Sequence, residues 1–273
     1  MKNLIERISI LGCGWLGLPL AEQLVTAGYQ VAGSTTTFEK LEILRQKNIL
    51  PYQINLLDQA NSETLLEFLE TDCLIISFPP RLRAGLEKEY LPQIHFLKNA
   101  LDHSSVKFVL FISSTSVYRD VNQVITENEP SDALDLASPL YQAEEIIRES
   151  SFYQTTVLRF GGLVGGSRQP GRFLAGKTQV PQPEAPVNLI HLNDCVGIIG
   201  QIISQRVFNE MFHAAADKHP SRQHFYTAAA QALNLEPPQF TESGPKAYKI
   251  ISNAKLKAQL AYEFIYPDPM FFF

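Results

Sequence analysis

Gly12, Gly14 and Gly17, in the run Ile8-Ser9-Ile10-Leu11-Gly12-Cys13-Gly14-Trp15-Leu16-Gly17, constrain this chain more than any other feature. They stand between a short apolar run and an amphipathic one. A strand-to-helix junction of this kind needs a tight turn, and glycine admits it while leaving backbone N–H groups open to a ligand. The helix that starts there points its positive end at the loop, which suits a pyrophosphate. An isolated G-x-G-x-x-G means little. Here it follows a strand, opens a helix and lies inside a strand–helix–strand unit, which is the setting of a dinucleotide site. Gly12, Gly14, Trp15, Leu16 and Gly17 are therefore expected to bind a dinucleotide cofactor. The loop does not say what chemistry, if any, the dinucleotide would do.

The alternation continues for about 160 residues. Apolar runs at Arg7–Leu11, Tyr29–Ser34, Tyr52–Leu56, Cys73–Ser77, Phe108–Ser113 and Thr155–Phe160 read as strands. Between them lie helical patterns at Leu16–Ala27, Phe38–Gln46, Ser62–Leu69, Tyr90–Leu101 and Leu140–Glu149. Gly28 sits where a helix C-terminus takes a left-handed residue. Near-continuous apolar strands are buried on both faces, as in parallel sheets between helix layers. The fold expected is α/β, a doubly wound parallel sheet (Rossmann-like) with a small C-terminal lobe. The expected division is a binding domain over 1–165 with a return segment near 187–204, and a partly interleaved lobe over 166–273. Glu127–Ser138 reads as a loop, and further helices are expected at Asp194–Ser204 and Arg222–Leu233.

The end of the second strand separates the two nicotinamide cofactors, because an acid there would bond the ribose 2′-hydroxyl of NAD. This chain has Gly33-Ser34-Thr35-Thr36-Thr37, with no acid before Glu39 and with Lys40 nearby. Hydroxyls and backbone N–H groups can take a 2′-phosphate, so NADP(H) is preferred over NAD(H) through Ser34, Thr35 and Thr36. A Thr capping the second helix is the plainer alternative. Asn55 and Leu56, ending the third strand, are placed at the adenine. Phe78 and Pro79, after the fourth, would wall the adenosine and pyrophosphate.

Ile112-Ser113-Ser114-Thr115-Ser116-Val117-Tyr118, after an N-terminal glycine loop, resembles the extended short-chain dehydrogenase/reductases of the NAD-dependent epimerase/dehydratase type. Val157-Leu158-Arg159-Phe160-Gly161-Gly162 resembles that family's sixth strand, and Val187–Asp194 its return segment. The resemblance implies that Ser113 lies with the cofactor residues and that Ser114 polarises a substrate oxygen. It also implies a Tyr acid/base with a Lys four residues on, because an unassisted Tyr, with a pKa of about 10, is a poor acid/base at neutral pH. The chain departs from that pattern. Aligning Tyr141 as the Tyr puts Glu145 at the Lys position, and a carboxylate opposes Tyr ionisation. Aligning Glu144 with the family's later Glu puts Leu136 and Leu140 at the two positions, and the spacing to Arg159 favours this register. Neither keeps the pair. Chains of this kind resemble the atypical members, which keep the fold and the cofactor groove.

Arg168 and Arg172, in a Gly/Pro-rich loop that the resemblance places toward the substrate, suit a phosphate or carboxylate. His191 and Tyr118 read as packing residues. The expected function is an NAD(P)-binding oxidoreductase or epimerase on a small, anionic substrate. The alternative is a catalytically silent dinucleotide-binding sensor or scaffold. The net charge of −5 gives no electrostatic reason to bind nucleic acid or an anionic membrane. No apolar stretch is long enough to span a bilayer, and Met1–Arg7 lacks a signal peptide's apolar core. Three well-separated cysteines, Cys13, Cys73 and Cys195, match no metal spacing and suit a reducing cytoplasm; Cys13 is the accessible candidate. The Met270–Phe273 run is expected to pack on the lobe or on a second copy in a homodimer.

Overall fold

The apolar runs become the strands of one sheet. In the computed structural model, which describes residues 5–58, 62–80, 87–129, 131–242 and 247–273, the chain starts with β1 (Arg7–Leu11), α1 (Gly17–Thr26), β2 (Gln30–Thr35), α2 (Lys40–Gln46) and β3 (Leu50–Gln53). It continues with α3 (Ser62–Phe68), β4 (Cys73–Ile76), α4 (Glu87–Asp102), β5 (Phe108–Ser114), β6 (Gln123–Ile125), α5 (Pro139–Arg148) and β7 (Gln154–Phe160). Then come β8 (Gly162–Val164), α6 (Gly171–Leu174), β9 (Leu189–His191), α7 (Leu192–Gln205), β10 (Met211–Ala214), α8 (Arg222–Ala232), β11 (Lys249–Ile251) and α9 (Ala254–Leu260).

A seven-stranded parallel sheet runs β10-β7-β5-β4-β1-β2-β3 and is flanked by helices. Every residue of β4 is buried, as a strand covered on both faces requires. The order reverses beside β1, between β4 and β2, and ligands bind such sheets at the strand C-termini where the order reverses. Leu20, Ala21 and Leu24 bury one face of α1. Its end is closed by Gly28 at φ +91°, with Gly28 N–H donating to Val25 O and Tyr29 N–H to Leu24 O, so the glycine is where the sequence placed it.

Two elements differ from expectation. The third strand is Leu50–Gln53, not Tyr52–Leu56: Ala32 to Thr35 pair with Leu50 to Gln53, and Asn55 then turns the chain by accepting Leu57 N–H at 3.2 Å. Pro51 is tolerated because β3 is an edge strand. The seventh strand, β10, escapes the apolar pattern because His213 interrupts it, although His213 is fully buried.

The chain forms two interleaved units. The first comprises residues 1–113, 136–158 and 199–211, and the second 114–135, 159–198 and 212–273. The second unit thus begins inside what the sequence read as the binding domain. Within it, β6 pairs with β11 and β8 with β9, both in parallel. Val164, Val187, Leu189, Ala216, Phe225 and Phe272 form its core, against which Met270 packs. Phe271 stays 71% exposed, so only part of the terminal aromatic run is covered. Among the described residues no helix is long and apolar enough to cross a membrane, and no His/Cys/Asp/Glu group is set to hold a metal.

Candidate functional site

The glycine loop lies in the first unit, in a cavity of about 410 Å³ lined by the ends of β1, β2, β3 and β4. Gly12 has φ +105°, and a Cβ there would meet Ser77 O at 3.0 Å. A Cβ on Gly17 would meet Gly12 O at 2.2 Å, so this glycine lets α1 start directly under the loop. Gly14 is different: a Cβ there would meet nothing within 4 Å, and the residue opens onto the cavity. One glycine bends, one packs and one leaves room.

The loop is tied to β2. Gly12 N–H donates to Ser34 Oγ at 2.9 Å and Cys13 N–H to Ser34 O at 2.8 Å. Ser34 is only 2% exposed and its hydroxyl shapes the loop, while the residue also lines the cavity. Cys13 is corrected. It is buried, and burial pushes its thiol up to about 12, which leaves it an unreactive packing group.

Trp15, Leu16 and Gly17 are not among the cavity residues. Leu16 is buried, and these three belong to the turn and first residues of α1. What they bring to the cavity edge is the N-terminal turn of a helix with its positive dipole end, in which Leu18 N–H already donates to Gly14 O and Pro19 carries no N–H.

At the far side Thr35, Thr36, Thr37 and Lys40 line the cavity. Thr35 Oγ1 accepts Thr37 N–H at 3.1 Å, and Glu39, not a threonine, stands at the N-cap of α2. Asn55 and Leu56, the residues expected at the adenine, line the cavity, and the Asn55 carboxamide oxygen is held in its own turn. Phe78, Pro79 and Pro80 form a wall with Glu89, Tyr90 and Gln93 of α4. Ser113 is buried and donates its hydroxyl proton to Glu144 of α5, itself wholly buried. Leu140, Ala143, Glu144 and Ile147 form the buried face of that helix.

Nearly the whole chain has a curated relative. Protein YeeZ of Escherichia coli strain K12 is 34% identical over 270 residues, covering 97% of this chain and 98% of its own. The chain belongs to the YeeZ family. No family model matches it. Two solved structures show the fold. UDP-glucuronic acid 4-epimerase of Bacillus cereus, in complex with UDP-glucuronic acid and NAD, superposes with a TM-score of 0.77 at 15% identity, over 97% of this chain and 95% of that one. UDP-glucose 4-epimerase of Thermotoga maritima, with UDP-glucose, gives 0.74 at 18% identity, over 95% and 94%. The fold of this YeeZ-family chain is that of the extended short-chain dehydrogenase/reductases, as the Ser113–Tyr118 segment suggested.

In this member of the YeeZ family, Tyr141 sits half-buried on α5, one residue off the buried face that carries Leu140 and Glu144. In the second unit, Ser114 Oγ accepts Ser116 N–H at 3.1 Å. Tyr118, read as a packing residue, does more than pack. Its hydroxyl bonds His213 Nε2 at 2.8 Å and takes a proton from the buried Arg159 guanidinium, whose carbon lies 4.9 Å from the Tyr118 ring centroid. Burial first, and then the Arg159 charge, push His213 down to about 3.

Arg168 and Arg172 are both exposed. Arg168 closes a tight turn on Gly165, and Arg172 Nε donates to Gln169 at 2.7 Å. His191 packs against Tyr266 at 4.1 Å between ring centroids, and burial lowers its pKa. The residues that sequence reasoning passed over are Tyr90, Gln93 and His213. Each looked like an ordinary helix or strand residue, and only the fold turns Tyr90 and Gln93 into the cavity.

Proposed function

We propose that this protein binds a nicotinamide dinucleotide in the cavity beside Gly12–Gly14, with NADP(H) preferred over NAD(H), and acts as an oxidoreductase or epimerase on a small anionic substrate. The observation that carries this reading is Gly14: the loop is pinned at Gly12 and packed at Gly17, yet keeps open space over Gly14, inside a cavity lined at strand C-termini. The B. cereus structure of this fold holds NAD, which supports the cofactor class. Thr35, Thr36, Thr37 and Lys40 support the 2′-phosphate, since among the described residues no acid lines that end of the cavity to bond a free 2′-hydroxyl.

The cofactor, when bound, supplies hydride transfer. The chain's own part is to position it: the open space over Gly14 and the start of α1 receive the pyrophosphate, and Phe78–Pro80 shield it. Ser114 is assigned to polarise the substrate oxygen, Tyr141 to supply a hydroxyl, and Arg168 and Arg172 to hold the substrate's negative charge. The missing Lys partner favours one second reading, a dinucleotide-binding protein without turnover.

Thermal melts test the binding. NADP(H) raises the melting temperature more than NAD(H) at equal concentration, and the reverse order refutes the 2′-phosphate assignment. Turnover tests the rest. Against a panel of small anionic alcohols and sugar nucleotides, a Ser114→Ala variant loses turnover while keeping cofactor affinity. If no substrate of this class is turned over, the reading without turnover stands.

A further inference from the structure

Tyr90 is a cavity residue whose hydroxyl finds no partner among the described residues. It stands on α4, is 1% exposed, and lines the cavity beside Phe78, Glu89 and Gln93. Its ring meets Phe78 edge-on, with centroids 5.6 Å apart. Phe78 in turn stands next to Gly12, since a Cβ on Gly12 would lie 3.5 Å from the Phe78 Cβ. The line Gly12–Phe78–Tyr90 thus joins the glycine loop to the Tyr90 ring along one wall. Despite its burial, the Tyr90 hydroxyl has no hydrogen-bond partner among the described residues. A buried donor left unmade is costly, and polar groups inside proteins are nearly always paired.

We propose that the Tyr90 hydroxyl completes the dinucleotide site, donating its proton to a pyrophosphate oxygen of the bound cofactor. The inference rests on the cofactor reading above and deepens it. Burial first, and then the negative charge of Glu144, push the phenol pKa well above its ordinary value. Tyr90 therefore stays a protonated donor throughout the neutral range, and a phosphate oxygen offers only acceptor sites. Ser113 already bonds Glu144, and Tyr90 has no bond to it, so the hydroxyl remains free for ligand.

A Tyr90→Phe variant separates this role from a structural one. The free variant melts at the same temperature as the parent or higher, because the deletion removes an unmet donor. Its affinity for NADP+ and for 2′-phospho-ADP-ribose falls about tenfold, the loss of one bond to a charged acceptor. 2′,5′-ADP, which keeps only the adenosine-side phosphate, shares the loss if the bond goes to that phosphate and keeps its affinity if the bond goes to the other. NAD+, ADP-ribose and AMP serve as the matching set.

Three results would overturn the proposal. The first is a variant that melts lower and binds normally, since the hydroxyl then serves the free protein; failure of both Tyr90→Phe and Tyr90→Met to fold counts the same way. The second is unchanged affinity for every ligand. The third is a loss confined to the complete dinucleotides, which would move the contact to the nicotinamide ribose. The parent protein keeps the two readings apart. If it binds no dinucleotide, the cofactor reading fails as well; if it binds and the variant binds equally, only the Tyr90 assignment fails.

Discussion

Gly14 and Gly17 carry the same letter in the same motif and do opposite work. Nothing stands within 4 Å of a Cβ on Gly14, whereas one on Gly17 would lie 2.2 Å from Gly12 O. Gly14→Val should therefore fold, with a melting temperature close to the parent's, and lose dinucleotide-induced stabilisation because its side chain occupies the cradle. Gly17→Ala should instead cost roughly 2 kcal/mol or more of stability, since a backbone contact that short forces α1 off the loop. Melts of both variants with and without dinucleotide check this, and the assignment fails if Gly14→Val still responds to ligand. The motif was legible because each glycine answers a local backbone demand. What Ser34 and Cys13 do was not legible, because it depends on how β2 lies against the loop. A serine at a strand end gives no sign in the sequence that its hydroxyl accepts Gly12 N–H.

Elements followed the sequence where one physical signal dominated. Central strands such as β4 are apolar throughout, and α1 carries both a helical stripe and a glycine stop. The short pairs β6–β11 and β8–β9 are three residues per strand and join distant parts of the chain, so no local period announces them. The C-terminal segment shows how such parts are held. The Asp194 carboxylate at the start of α7 accepts Tyr262 Oη at 3.0 Å, Ile265 N–H at 2.7 Å and Tyr266 N–H at 3.1 Å. One buried side chain thus fastens the segment that carries Tyr266 toward Phe272. Asp194→Ala leaves three buried or half-buried donors without an acceptor and should cost roughly 2–4 kcal/mol. Early hydrogen exchange at Ile265 and Tyr266, relative to α9, would be its signature, and unchanged protection there would contradict it.

Across the whole molecule the histidines give stability a fixed direction in pH. Burial lowers the pKa of His191, His213 and His219, and His213 falls furthest, from 6.5 to about 3. Each is held neutral in the folded chain and is free to take a proton once unfolded. Above pH 6.5 both states are neutral and nothing is lost. Below it the unfolded chain binds protons that the folded chain refuses, so stability falls with acidification, by up to about 1.4 kcal/mol per pH unit for each histidine. Asp194, whose pKa burial raises, acts in the opposite sense just above the ordinary carboxylate range. The histidine effect is therefore cleanest between pH 6.5 and 5.5, where unfolding free energies from denaturant titrations should decline steadily. His213→Gln keeps a polar side chain beside the Tyr118 hydroxyl but cannot titrate. Its stability should start lower at pH 7.5 and then fall less steeply, by about one proton's worth of slope. A variant with the parent's slope would mean that His213 charges in the folded state, and that its burial beside Arg159 does not exclude the proton.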